Sequence, residues 1–282
     1  MNKIGIFVNR DRDPQLESAR DTIKTLISRG KTVLVDTCLE IELKNCGAQF
    51  VSYAEMLVQA DLVIALGGDG TILKVIGDAA QYQTPVIGIN LGHLGFLTQA
   101  ERDDAEVFDQ IINNDFSINQ AMLLEARIFK NGKPSQPALA LNDIILRGED
   151  TKMISLEVEV DGTVTNHYLA DGIIVATSTG STAYSLSCGG PIVHQSLDCI
   201  ILTPICPHTL KSRCIVIPPD SRVVLRIDAS YRSDAEFKAD GNLVEKLTGD
   251  DYIEIVKSKE RAPLVNLNDH SYFDIIRKKL SD

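Results

Sequence analysis

No run of the 282-residue sequence is long and apolar enough to cross a membrane as a helix; the longest apolar stretches have strand length and are broken by charge or glycine. The opening MNKIGIFVNRDRD lacks the extended apolar core of a secretion signal, because charge returns too soon. A soluble, cytoplasmic protein with no membrane partner is therefore expected. The six cysteines, Cys38, Cys46, Cys188, Cys199, Cys206 and Cys214, form no C-x-x-C pair and have no histidine at metal-ligand spacing. Reduced and mostly buried thiols are expected, and no protein-built metal site. Positive charge is also short. A net charge of −11 excludes a broad nucleic-acid surface but not a nucleotide, which local amides, a few cations and a metal can hold. There is no internal repeat and no low-complexity linker.

What is present is 44% apolar residues, enough for one large core or two ordinary ones. Strand and helix signals alternate over residues 1–120. KIGIFVN (3–9) reads as a strand, then Asp13 as a helix cap with Pro14 at the first helical position, and Leu16, Ala19, Ile23, Leu26 and Ile27 recur at helical spacing. Gly30 ends that helix before the strand KTVLVD. A helix near 54–60, the strand DLVIAL, a helix through TILKVIGDAAQ and the strand TPVIGIN follow. This is a βαβ series, so the first domain is expected to be α/β with an open, mostly parallel sheet. From about residue 121 the period becomes alternating, as in ISLEVEVDG, and Asn131-Gly132 carries a hairpin signal. A β-rich second domain is expected over 121–258, then a tail, 259–282, whose helical HSYFDIIRKKL docks its apolar face back on the first domain.

Four stretches stand out. Gly67-Gly68-Asp69-Gly70 lies where a strand ends and a helix begins, the ligand-binding edge of open α/β sheets. Glycines there let a phosphate reach the backbone. The stretch is neither a Walker A loop nor a G-x-G-x-x-G turn. A carboxylate among phosphates is repelled unless it binds magnesium or takes a proton from an attacking hydroxyl. Residues 177–187 concentrate small hydroxyl side chains (Thr177, Ser178, Thr179, Ser181, Thr182, Ser185, Ser187), which suits close packing on a polar ligand. They lack the G-x-S-x-G frame of a hydrolase elbow. The pair Asn142-Asp143 interrupts the apolar run ALALNDIILR, which is costly unless it hydrogen-bonds something, and ribose hydroxyls or an adenine edge are suitable partners. Finally, NLGHLGFL (90–97) is a second glycine-spaced turn after a strand, its His93 structural or ligand-adjacent rather than catalytic.

In these motifs and in this order, G-G-D-G at 67–70, N-L-G-H-L-G-F-L at 90–97, Asn142-Asp143, and D-G-x-x-x-x-T-x-T-G-S-T-A-Y at 171–184, the chain resembles the NAD kinase family along nearly its whole length. The resemblance implies transfer of the γ-phosphoryl of ATP to the 2′-hydroxyl of the adenosine ribose of NAD, giving NADP. By similarity, Asp69 accepts the proton of that hydroxyl, and Gly70, in the same binding turn as Gly67 and Gly68, lies beside the dinucleotide. Asn142 and Asp143 hold NAD, and many relatives carry glutamate at the second position. Asp171 and the run Thr182, Ala183, Tyr184, Ser185, Leu186 and Ser187 match the ribose and nicotinamide pocket. Lys74, Lys152, Leu169 and Asn242 fall at less constant ligand contacts. The family also implies a homodimer or homotetramer, with Lys152 reaching a neighbour's site. Because few cations other than Lys74 lie near Asp69 in the sequence, Mg²⁺ or another divalent cation must neutralise the polyphosphate together with backbone amides. Two rival readings are a lipid or sugar kinase sharing the G-G-D-G turn and a non-catalytic dinucleotide-binding regulator. The hydroxyl-rich segment disfavours the first and the intact Asp69 the second.

Overall fold

The computed structural model describes residues 1–92, 95–102, 104–209, 211–228, 234–249, 251–267 and 272–280. His93 and Leu94 of the NLGHLGFL turn, and His270 and Ser271 of the tail, lie outside them. The chain forms two compact units, residues 1–120 with 262–282, and residues 121–261.

The first unit is built from β1 (Lys3–Val8), α1 (Glu17–Ser28), β2 (Thr32–Asp36), α2 (Glu40–Leu43), β3 (Gln49–Val51), α3 (Tyr53–Gln59), β4 (Leu62–Gly67), α4 (Asp69–Tyr82), β5 (Val86–Asn90), β6 (Ala100–Glu101) and α5 (Ala105–Asn113). Its main strands pair in parallel in the order β5-β4-β1-β2-β3. β4 and β5 are buried along their whole length, which is why they read as continuous apolar runs. After three strands laid outward in one direction, the chain returns to add β4 on the other side of β1. The order therefore reverses between β1 and β4, and the loops leaving their carboxyl ends flank a topological switch point. One expectation is corrected here. Asp13 and Pro14 precede α1 rather than starting it. Leu16 takes a left-handed conformation (φ 54°) just before Glu17, and Asp13 caps from a distance, its Oδ2 accepting the N–H of Ala19 at 3.0 Å.

The second unit comprises most of β7 (Ser117–Lys130), then β8 (Lys133–Pro134), β9 (Ala138–Ala140), β10 (Asp143–Gly148), β11 (Ile154–Val160), β12 (Thr163–Ala170), β13 (Gly172–Thr177), α6 (Tyr184–Ser187), β14 (Ile200–Ile205), β15 (Ile215–Ile217), β16 (Val223–Ile227), β17 (Ala235–Ala239), β18 (Asn242–Leu247) and the first part of β19 (Tyr252–Asn266). β12-β11-β16-β19 and β15-β14-β13-β10-β17-β18 are antiparallel ladders. Ile154, Leu156, Val158 and Leu225 from the first meet Ile144, Leu146, Val175 and Phe237 from the second in one buried core. The alternation of ISLEVEV follows from this one-sided burial. The run ALALNDIILR is not one continuous strand, because pairing stops at Ala140 and resumes at Asp143. Asn142 thus sits at a break, where its polar side chain escapes the ladder.

The chain continues as strand to Asn266, where Leu264 pairs in parallel with Val86, before α7 (Tyr272–Leu280). None of α7's residues is buried, and Phe273 is 70% exposed. All six cysteines are unpaired, but only Cys199 is buried; Cys38 and Cys206 are exposed and the others half-buried. The thiols stand in turns and at helix and strand ends rather than in core strands, which corrects the expectation of mostly buried cysteines. No helix among the described residues is long and apolar enough to cross a membrane.

Candidate active site

The G-G-D-G turn occupies the switch point of the first unit. Gly67 ends β4, and Gly68 precedes α4, whose first residue is Asp69. Thr71 ties the turn to itself: its N–H donates to Gly68 O (2.8 Å), and its hydroxyl accepts the Gly68 N–H (3.2 Å) and an Nδ2–H of Asn9 (3.2 Å). The glycines have different reasons. A Cβ on Gly67 would lie 2.0 Å from Thr71 Oγ1, so packing requires glycine there. A Cβ on Gly68 or Gly70 would meet no atom within 4 Å, so their bareness serves open space at the amino end of a 14-residue helix. Backbone amides at such an end attract anions. The cavity beside the turn holds about 270 Å³ and is lined by Arg12, Gly67, Gly68, Asp69, Asn90, Leu91, Gly92 and Gly95.

Asp69 is not a freely solvated carboxylate. Its Oδ2 accepts the N–H of Phe96 at 2.8 Å, and its Oδ1 accepts those of Leu97 and Thr98, each at 3.1 Å. Gly95 is forced by this arrangement, because a Cβ there would lie 1.8 Å from Asp69 Oδ1. Asn90 shapes the same loop, accepting the Gly92 N–H at 2.8 Å and donating to Thr98 Oγ1 at 3.3 Å. The second glycine-spaced turn is thus held in place by the aspartate of the first.

In the second unit, a cavity of about 350 Å³ is lined by Asn142, Asp143, Ile145, Arg147, Ala183, Tyr184, Lys238, Asp240 and Gly241. Asp240 anchors it, its carboxylate accepting the N–H groups of Leu141 (2.8 Å), Asn142 (2.7 Å) and Asp143 (3.1 Å). Burial pushes the Asp143 carboxyl up to about 7, and the neighbouring Asp240 charge adds to the rise. Burial also raises Asp240, to about 6, against the opposing pull of its three amides. Burial raises the Tyr184 phenol, which therefore stays a hydrogen-bond donor. The hydroxyl-rich segment wraps this site from behind. Thr177 donates to Leu141 O (2.6 Å), and a Cβ on Gly180 would lie 2.0 Å from Asn142 O. Ser181 bonds the backbone of Val193, and Ser185 pairs with Thr203 (2.8 Å), both hydroxyl residues wholly buried.

Residues 4–116 match the ATP-NAD kinase N-terminal domain, and residues 141–267 match the ATP-NAD kinase C-terminal domain. The chain belongs to the NAD kinase family. It is 40% identical to an NAD kinase of Caldanaerobacter subterraneus and 39% identical to one of Thermoanaerobacter sp., covering 100% of both chains in each case. Among solved structures, a yeast NADH kinase complexed with NADH is 27% identical with a TM-score of 0.86, over 98% of this chain and 86% of that one. An NAD kinase from Archaeoglobus fulgidus in complex with ATP is 26% identical with a TM-score of 0.69, over 98% of each chain. The α/β plus β-rich fold expected from the sequence is that of these NAD kinases, and the lipid- or sugar-kinase reading of the turn is set aside.

Of the NAD kinase motif positions, the structure gathers Gly67, Gly68 and Asp69 at one cavity and Asn142, Asp143, Ala183 and Tyr184 at the other. Gly70 is exposed beside the first, and Lys74 stands exposed one turn further along α4. Asp171 links β12 to β13, its carbonyl accepting the Gly148 N–H at 2.9 Å. Leu169 pairs with Ser155 on β12, Lys152 is exposed beyond β10, and Asn242 is exposed at the start of β18 beside Gly241. Thr182 and Ser185 are buried, Leu186 is half-buried and Ser187 exposed. Sequence reasoning missed Arg12, Arg147, Lys238 and Asp240. Arg12 follows β1 at the switch point, so the strand order would have pointed to it. Asp240-Gly241 is a D-G hairpin signal between alternating segments, with φ 47° and 78° as a type I′ turn requires.

Proposed function

We propose a division of labour between the two cavities for the reaction of the family, ATP-dependent phosphorylation of NAD to NADP. The phosphates of ATP lie against the bare backbone of Gly68 and Gly70 and the amino end of α4, with Arg12 as the nearby cation. Asp143, Asn142 and Tyr184 hold ribose hydroxyls and the amide or ring edges of the dinucleotide. Asp69 receives the proton of the 2′-hydroxyl as that oxygen bonds to the γ-phosphorus and the bond from that phosphorus to the bridging oxygen breaks, releasing ADP. The observation that carries this reading is the state of Asp69. A carboxylate offers about four acceptor positions, and among the described residues the amides of 96–98 use three, leaving one on Oδ2 at the edge of the phosphate cavity. The proton transfers late, when the attacking hydroxyl has become acidic in a loose transition state.

Among the described residues no cluster of carboxylates, thiols or imidazoles is placed to hold a metal ion. The divalent cation is accordingly read as arriving on the phosphates of ATP, as part of the substrate. A homodimer or homotetramer in the cytoplasm completes the proposal; the open apolar side chains Phe273 and Leu280 on α7 support association, and light scattering on the purified chain tests it. The deciding assay for the function couples purified protein, ATP, Mg²⁺ and NAD to an NADP-specific dehydrogenase. NADP formation that requires both substrates is expected. ATP turnover without NADP overturns the reading.

A further inference from the structure

Asp240 and the Asn142-Asp143 turn hold one another. While three successive amides donate to the Asp240 carboxylate, the Asp240 N–H donates to Asp143 O at 2.9 Å. This mutual clamp fixes the backbone on which both dinucleotide ligands stand. It also places a second carboxylate, Asp143, only 4% exposed, on the wall of the same cavity. Two carboxylates in one low-dielectric wall cannot both ionise without cost, and amide donors favour charge on the one they reach. Ionisation therefore begins at Asp240, and Asp143 is the last of the two to lose its proton. We propose that Asp240 is a positioning residue that makes acceptor binding proton-linked, so that Asp143 releases a proton to solvent when hydroxyl groups of the dinucleotide dock on its carboxylate.

The remaining groups facing Asp143 do not remove this linkage. Lys238, on β17, is ion-paired with Glu236 at 2.8 Å. Arg147, on β10 itself, lines the cavity and favours the ionised form once substrate brings it about. Tyr184 and Cys188, from α6 and its end, are both raised by burial and stay neutral below pH 8. The inference rests on reading this cavity as the dinucleotide half-site.

Calorimetric titration of the full chain with NAD alone, at pH 6 and pH 8 in buffers of different ionisation enthalpy, tests it. With Asp143 titrating at about 7, the binding-competent fraction falls about tenfold between the two pH values, so Kd rises about tenfold at pH 6. Most of one proton is released per NAD at pH 6 and little at pH 8. Asp240→Asn removes the competing charge but leaves the burial of Asp143, so the ratio of its affinities at pH 6 and pH 8 falls below the parent's without vanishing, whatever its absolute affinity. Asp143→Asn abolishes the release. Absence of proton release by the parent at pH 6 overturns the proposal, as does release that persists in Asp143→Asn. Equal weakening of Asp240→Asn at both pH values, with the parental release intact, assigns Asp240 a merely structural role and also overturns it. If Asp240→Asn does not fold, the parent and Asp143→Asn decide. Failure of the half-site reading looks different: NAD then binds with an affinity that neither Asn142→Ala nor Asp143→Asn changes.

Discussion

Asp69 and Asp240 use the same device in the two units: a single carboxylate collects three successive backbone N–H groups, from 96–98 in one case and 141–143 in the other. Each therefore shapes a loop as well as a charge, and the consequences of substitution follow from both. Asparagine at 69 sets an amide N–H of its own against one backbone donor, which costs about 1–3 kcal/mol if that donor stays buried. On the proposed role it also removes the proton acceptor, worth about 10²–10⁴-fold in rate. Asp69→Asn is expected to melt lower and to be at least a hundredfold slower; a measured rate above roughly a tenth of the parent in a stable variant contradicts the catalytic role. At Asp143 the sign of the pH effect follows from a raised folded value. Native protein holds the proton from about pH 4, the unfolded value, up to about 7. The favourable contribution is full below the unfolded value and is lost as pH rises through 7, at most on the order of 4 kcal/mol. Asp143→Asn should therefore melt higher than the parent at pH 8, with the gap closing toward pH 4. A gap that widens on acidification would show that Asp143 is not the buried, protonated partner.

At the scale of elements, the turn between β4 and α4 separates packing from binding residue by residue. Gly67→Ala drives a methyl group against Thr71, whose hydroxyl organises the turn, so melting temperature and activity fall together. Gly68→Ala meets nothing in the protein and should melt within about 1 kcal/mol of the parent. On the proposed reading its methyl group stands where a phosphate is to lie, so KM for ATP should rise several-fold or more. Steady-state kinetics beside thermal melts check the pair, and an unchanged KM in Gly68→Ala would remove phosphate from that cradle. Much of this was legible in the sequence because buried parallel strands are continuous apolar runs and one-sided strands alternate. The junction of DLVIAL with Gly-Gly-Asp-Gly could be placed at a strand end from that pattern alone. Where reading failed, an interaction distant in sequence had decided the local structure. Asp13 caps α1 through Ala19 across an intervening left-handed residue, and the break at Asn142 is set by Asp240, almost a hundred positions away. Within the hydroxyl-rich segment 177–187, the hydroxyls of Thr177, Ser181 and Ser185 are bonded within the protein, to partners that lie 12 to 36 positions away.

For the molecule as a whole, charge is the constraint that the reaction must overcome. The chain carries −11 and must bring a polyphosphate to a second anionic nucleotide. Local cations are few: Arg12 at the phosphate cavity, Arg147 and Lys238 at the other. Lys74, the one cation near the turn in sequence, is exposed on α4 and does not line the phosphate cavity. Backbone amides at the α4 terminus contribute partial charge only, about half an elementary charge at most. On the proposed reading the developing charge on the transferring phosphoryl group is met by a divalent cation, and among the described residues no cluster of carboxylates, thiols or imidazoles is placed to hold one. The two half-reactions of binding should then respond differently to metal. NADP formation is expected to cease in excess chelator and to return when Mg²⁺ is added beyond it. NAD binding measured alone should be unchanged by the same chelator, since the cavity around Asn142 and Asp143 relies on carboxylates and amides. Turnover that persists after verified metal removal would mean that Arg12 and the amides of Gly68 and Gly70 suffice for the phosphates. Loss of NAD binding on chelation would instead place the cation at the carboxylates of the second cavity, and Asp143→Asn would then abolish the metal requirement for binding.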